Sequence, residues 1–124
     1  MNANELRIGN LVDCFGICEV IGISLKKIKV RRKTQKGNYL IEKIPINSLE
    51  LNAINLDEDC MLKFGFKENE FSFVFEFDQF YTHIQDGVVW YNTVNDSIAI
   101  EYVHELQNLY NALTFKELKR VDGF

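Results

Sequence analysis

The sequence predicts an α+β protein that is mostly β, and three observations carry that prediction. From Arg7 to Ile46, β-branched and aliphatic residues recur in short runs separated by turn residues. Between Phe71 and Phe77, four phenylalanines alternate with Ser72, Val74 and Glu76, the period of a half-buried strand. A single long stretch, Tyr102 to Thr114, has its apolar residues three and four apart, as on one face of a helix. A chain of 124 residues that is 47% hydrophobic can bury a core of that kind.

In chain order, RIGNLVDC reads as a strand, Phe15–Gly16 as a turn, and ICEVIGISL, KIKVRRK and YLIEKIP as three further strands, the last two joined by the polar turn TQKGN. Pro45, the only proline, ends the run, as a residue lacking a backbone N–H should. Gly9 and Val12 near the start, a hairpin, and then a basic third strand resemble SH3-like barrels. Residues 1–50 are therefore expected to form an SH3-like N-terminal β-barrel. Residues 51–124 are expected to form a small antiparallel sheet packed by a C-terminal helix, the two parts sharing one compact unit.

LDEDCMLKFGF allows one short helix from about Asp57, with acidic residues at its amino end and Gly65 at its exit. The Phe strand follows, then FYTHIQ and VVWYN joined by Asp86-Gly87, the strongest short-range turn signal in the chain, and then SIAIEYV. In the helix, Val103, Leu106, Tyr110 and Leu113, with Tyr102 and Leu109 beside them, make the apolar face, laid on the phenylalanines; His104, Glu105, Gln107, Asn108 and Asn111 make the polar one. On this reading His104 sits at the margin of the stripe, partly exposed. Thr114 with Glu117 is a capping-box pattern that predicts a bend and a second short helix, FKELKR.

The words ELRIGN, KFGF and YVHELQNLYNALT, followed by Glu117-Leu118, resemble an uncharacterised family of small proteins from gut anaerobic bacteria, their phages and mobile elements. That family carries an aromatic residue where Asn111 stands and a glycine where Phe115 stands. Here the ring stands four residues along, on the same face if the helix continues. The resemblance implies an accessory gene rather than a central metabolic enzyme, and it transfers no activity and no functional residue.

Charge is distributed unevenly. Residues 24 to 43 hold eight Lys or Arg against one Glu, and residues 44 to 101 hold eleven Asp or Glu against two Lys, within a net charge of −4. In KKIKVRRK, Lys27, Lys29, Arg31 and Lys33 share one face at a repeat of roughly 7 Å, a ladder able to track phosphates. Arg32 adds to the segment, and Tyr39 on the next strand offers a ring for a base. Two other readings stand beside this one: the lysines guard a sheet edge, or they pair with the acidic half within the molecule or across a homodimer. Trp90 and Tyr91 point to opposite faces, and an exposed Trp90 beside Tyr81 is a candidate anchor for a partner.

The remaining chemistry is sparse. His83 and His104 have no second His or Cys at ligand spacing, and Cys14, Cys18 and Cys60 form neither a CxxC pair nor an even disulfide set, so buried thiols are expected. Asp57, Glu58 and Asp59 lack the order of a calcium loop, and no phosphate loop or dinucleotide fingerprint occurs. No catalytic residue, metal or cofactor is expected. With no apolar run long enough to span a membrane and no signal-peptide pattern at the start, a cytoplasmic protein is expected. The reading that results is a non-catalytic binding or accessory protein acting through protein contacts. Nucleic-acid binding through residues 26–33 is the alternative.

Overall fold

The computed structural model describes residues 3–69 and 74–121. It is mostly β, with two antiparallel sheets and a C-terminal helix, and divides into two compact units, Met1–Ile54 and Asn55–Gly123. Among the described residues no helix is long and apolar enough to cross a membrane.

The first unit is a four-stranded meander of β1 (Leu11–Asp13), β2 (Ile17–Ile23), β3 (Lys27–Lys33) and β4 (Tyr39–Pro45), each paired antiparallel with the next. Among the described residues no ladder joins β1 to β4, and no closed barrel is found. Alternation buries Val12, Cys18, Val20, Ile28, Val30 and Ile44 on one face, where they pack with Leu6, Cys14 and Leu51. The β2–β3 register slips between Val20 and Gly22, a bulge that places Gly22 opposite Lys29.

The first strand is shorter than its sequence predicts. Arg7–Asn10 is a turn instead: the Arg7 carbonyl accepts from the Asn10 N–H, Asn10 Oδ1 accepts from the Arg7 N–H at 2.6 Å, and Gly9 takes a φ of 98°. Asn10 is fully buried, and its carbonyl accepts from Val20 N–H at 2.8 Å, so the turn is tied to β2.

In the second unit, α1 (Glu58–Lys63) starts at Asp57, whose carboxylate accepts from Cys60 N–H at 2.8 Å. It ends in a Schellman motif: the Phe66 N–H reaches the Met61 carbonyl, the Gly65 N–H reaches that of Leu62, and Gly65 sits at φ 92°. The word KFGF is thus a helix stop that drives Phe64 and Phe66 inward, at 1% and 2% exposure.

The second sheet is another meander: β5 (Lys67–Glu68), β6 (Val74–Phe77), β7 (Phe80–Gln85), β8 (Val88–Asn92) and β9 (Ser97–Ile100). Asp86 and Gly87, both at positive φ, make the two-residue β7–β8 turn. Of the four-phenylalanine stripe, Phe75 is buried and Phe77 half-buried, whereas Phe71 and Phe73 lie outside the described residues. Aromatic rings fill this core: Tyr110 lies 5.8 Å from Phe77 and 5.5 Å from Phe80, and Phe80 stacks on Tyr91 at 4.8 Å.

The C-terminal helix α2 (Val103–Thr114) is entered through Glu105, whose carboxylate accepts from the N–H groups of Tyr102 and Glu101. Its buried face is rotated from the predicted one. Val103, Leu106 and Tyr110 are buried as expected, but so are His104 and Gln107, while Leu113 is half exposed. The His104 ring is stacked on Tyr102, centroids 5.8 Å apart, rather than partly exposed at a margin. Gln107 is buried because its amide donates to the Leu118 carbonyl at 3.1 Å.

The predicted second helix does not form. Thr114 donates its hydroxyl back to the Tyr110 carbonyl and accepts from the Lys116 N–H at 3.2 Å, and Phe115 ends α2 in the left-handed region at φ 59°. The Phe115 ring is 91% exposed and does not continue the buried face. The chain beyond runs on irregularly, held by Gln107 to Leu118 and by Asn111 to the Lys116 carbonyl.

Candidate binding surface on the first sheet

The basic segment is the interior strand β3, hydrogen-bonded to β2 on one side and β4 on the other. Its lysines therefore do not guard a sheet edge. Ile28 and Val30 face the core, so Lys27, Lys29, Arg31 and Lys33 stand on the opposite, outer face, as the alternation predicts. Arg32 does not join them. It shares the core side at the end of the strand, where its guanidinium bonds Glu42 Oε1 at 3.1 Å and the Phe15 carbonyl at 3.4 Å.

Cross-strand register completes the outer face. Lys27, Lys29, Arg31 and Lys33 lie opposite Pro45, Lys43, Ile41 and Tyr39 in turn. Arg31 is neutralised by Glu19 at 3.0 Å and covers the Tyr39 ring at 4.5 Å from its centroid. The ladder is thereby broken at its third rung, and one side of the Tyr39 ring is already taken.

Lys27, Lys29 and Lys43 behave differently. With Gly22, Ile23 and Ser24 they line a hollow of about 260 Å³, and among the described residues no carboxylate pairs with any of the three. Gly22 keeps the hollow open, since a Cβ there would come within 3.2 Å of Lys29 Cβ. Like charges directly opposite on neighbouring strands repel, so Lys29 and Lys43 hold positive potential that an anion would relieve. Beside them Tyr39 and Ile41 are 52% and 53% exposed, giving the face an apolar end next to a cationic one.

Lys43, Gly22 and Ile41 were not among the residues singled out from the sequence. The signal was there: counting outward from the TQKGN turn sets Lys33 opposite Tyr39 and hence Lys29 opposite Lys43.

The other candidates lie elsewhere. Trp90 is on the outer face of the second sheet, opposite His83 and on the same side as Tyr81, and both Trp90 and Tyr91 are half-buried rather than one being exposed. His83 Nδ1 accepts from the Asn92 amide at 2.9 Å. Burial pushes the thiols of Cys14, Cys18 and Cys60 above their ordinary value, which holds them protonated and poorly nucleophilic. Among the described residues no group of His, Cys, Asp and Glu is placed to hold a metal ion. Compared with protein-family models, with curated proteins and with solved structures, the chain matches none.

Proposed function

We propose that the protein is a non-catalytic binding module that holds an anionic stretch of another protein against the outer face of its first sheet. The observation that carries this reading is the hollow of Lys27, Lys29 and Lys43, whose charges lack carboxylate partners among the described residues while the neighbouring arginines have them. The exposed side chains of Tyr39 and Ile41 beside it favour a protein, which offers apolar and charged groups together. The protonated thiols support a non-catalytic role. In this reading the meander is the curled wall of an SH3-like barrel, supported by the twist-increasing bulge at Val20–Gly22. The cellular setting is that of a cytoplasmic accessory protein of a phage or mobile element, as the sequence words imply.

Nucleic acid is the second reading, favoured by Lys27, Lys29 and Lys33 on one face with Tyr39 at the end of the row. It ranks lower because Arg31 is tied to Glu19 and occupies the ring. Titration of polyglutamate, single-stranded oligonucleotides and duplex DNA at about 50 and 200 mM salt separates the two. The protein reading expects polyglutamate to bind and the Lys29→Glu/Lys43→Glu variant to lose that binding with its fold intact. Tighter binding of oligonucleotide with a steep salt slope would reverse the order. Failure of every polyanion to bind at low salt would remove both.

A further inference from the structure

Among the described residues no strand pairs with the far side of β4, and the hydrogen-bond parity of the sheet shows which of its groups face that side. Thr34 N–H bonds the Asn38 carbonyl and Ile46 N–H bonds that of Lys26, so the even-numbered residues of β4 exchange their bonds with β3. The backbone groups of Tyr39, Ile41 and Lys43 then point away from the sheet. Pro45 fits the same parity, because its missing N–H falls on the open side, and its carbonyl is taken by Ser48 N–H at 3.0 Å. The open edge is thus a seat of three residues with a closed end. The three whose backbones are open also send their side chains to the outer face, beside Lys29.

We propose that this edge takes an extended acidic segment of a partner protein as a fifth, antiparallel strand of the first sheet. The proposal rests on the reading of the outer face as a protein-binding surface and specifies how the partner is held. Main-chain bonds to Tyr39, Ile41 and Lys43 supply the attachment, and the side chains opposite them supply the selection. An antiparallel strand meets Lys43 first, so its sequence reads acid, any residue, aliphatic, any residue, aromatic. The acid sits against Lys43 and the Lys29 behind it, and the apolar pair covers Ile41 and Tyr39. A second copy of this chain could pair the same edge, but it would bring its own lysines to a face where three already lack carboxylates among the described residues. Charge therefore selects an acidic partner over self-association.

The test uses a fluorescein-labelled peptide carrying Glu, Val and Phe at alternate positions, read by anisotropy against the whole protein. N-methylation of the peptide amides that face β4 should weaken binding at least about tenfold, the loss of one to two hydrogen bonds. N-methylation of the intervening amides should change it by less than about threefold. Ile41→Pro, which removes one outward N–H at an edge that already accommodates Pro45, should weaken it as the first methylation does. If that variant does not fold, the methylated peptides carry the test unaided. Equal binding of the parent, both methylated forms and a scrambled peptide would overturn strand addition while leaving an anionic protein partner in place. No binding of the peptide together with no binding of polyglutamate would overturn both readings. A concentration-dependent dimer that Ile41→Pro abolishes, with no peptide binding, would assign the edge to a second copy and overturn the acidic partner.

Discussion

Replacing Phe115 by glycine should stabilise the protein. Phe115 ends α2 at φ 59° and ψ 21°, and its N–H closes the helix on the Asn111 carbonyl at 2.8 Å. A residue with a Cβ in that conformation costs about 1–2 kcal/mol, whereas glycine adopts it freely. Glycine returns about 0.5–1 kcal/mol of this through the greater freedom of its unfolded chain. The ring is 91% exposed, so its removal forfeits little packing. The net expectation is a gain of about 0.5–1 kcal/mol, or roughly 0.3–0.7 M in urea midpoint at an unchanged slope. Equilibrium urea unfolding followed by far-ultraviolet circular dichroism measures it. Phe115→Ala is the control: it removes the ring but keeps the Cβ, and should move the midpoint by less than half as much. A lower midpoint for Phe115→Gly, or an equal rise for Phe115→Ala, would refute the argument that backbone strain dominates at this position.

Leu106→Ala should cost about 2–5 kcal/mol, since Leu106 is fully buried, while Leu113→Ala, at a half-exposed position, should cost less than about 1 kcal/mol; urea unfolding ranks the pair. His104→Gln should lower stability by about 1–2 kcal/mol in the same assay, because it removes a buried ring stacked on Tyr102. Cysteine burial gives the pH dependence its sign. The folded state raises the three thiol pKa values above 9.0, so the unfolded chain releases those protons first, and the stabilisation present below about pH 9 is lost as pH rises through the folded values. Thermal midpoints from pH 7 to 10 should fall less steeply in a Cys14→Ala/Cys18→Ala variant. Lys43→Glu should raise stability by about 0.2–1 kcal/mol in urea by turning a repulsive cross-strand pair into an attractive one, even as it abolishes binding of acidic peptide.

Local signals carried much of the architecture. KIKVRRK, YLIEKIP, FYTHIQ and VVWYN begin and end as strands at the residues predicted, because each is rich in strand-forming residues and lies between turn residues. What escaped depended on side-chain partners that no local pattern names. Gln107 and His104 have the composition of a solvated helix face, and contacts such as the Leu118 carbonyl and the Tyr102 ring make their burial favourable. Residues 115–120 have a capping pattern and helix-forming side chains, but Thr114 turns to Tyr110 and Leu118 is drawn into the core. The basic face followed the same rule. That four cations alternate along one strand was legible, whereas the pairing of Arg31 with Glu19 and of Arg32 with Glu42, which leaves Lys27 and Lys29 without a carboxylate among the described residues, is set by register between strands.

The facing of Lys29 and Lys43 gives dissolved salt two opposed effects on one molecule. Counterions that gather between the two ammonium groups relieve their mutual repulsion, so moderate ionic strength should favour the folded chain. The same counterions compete with any acidic segment for that place. If an acidic segment binds there as proposed, added salt that raises the melting temperature should weaken its capture, and dilution should trade some stability for tighter binding.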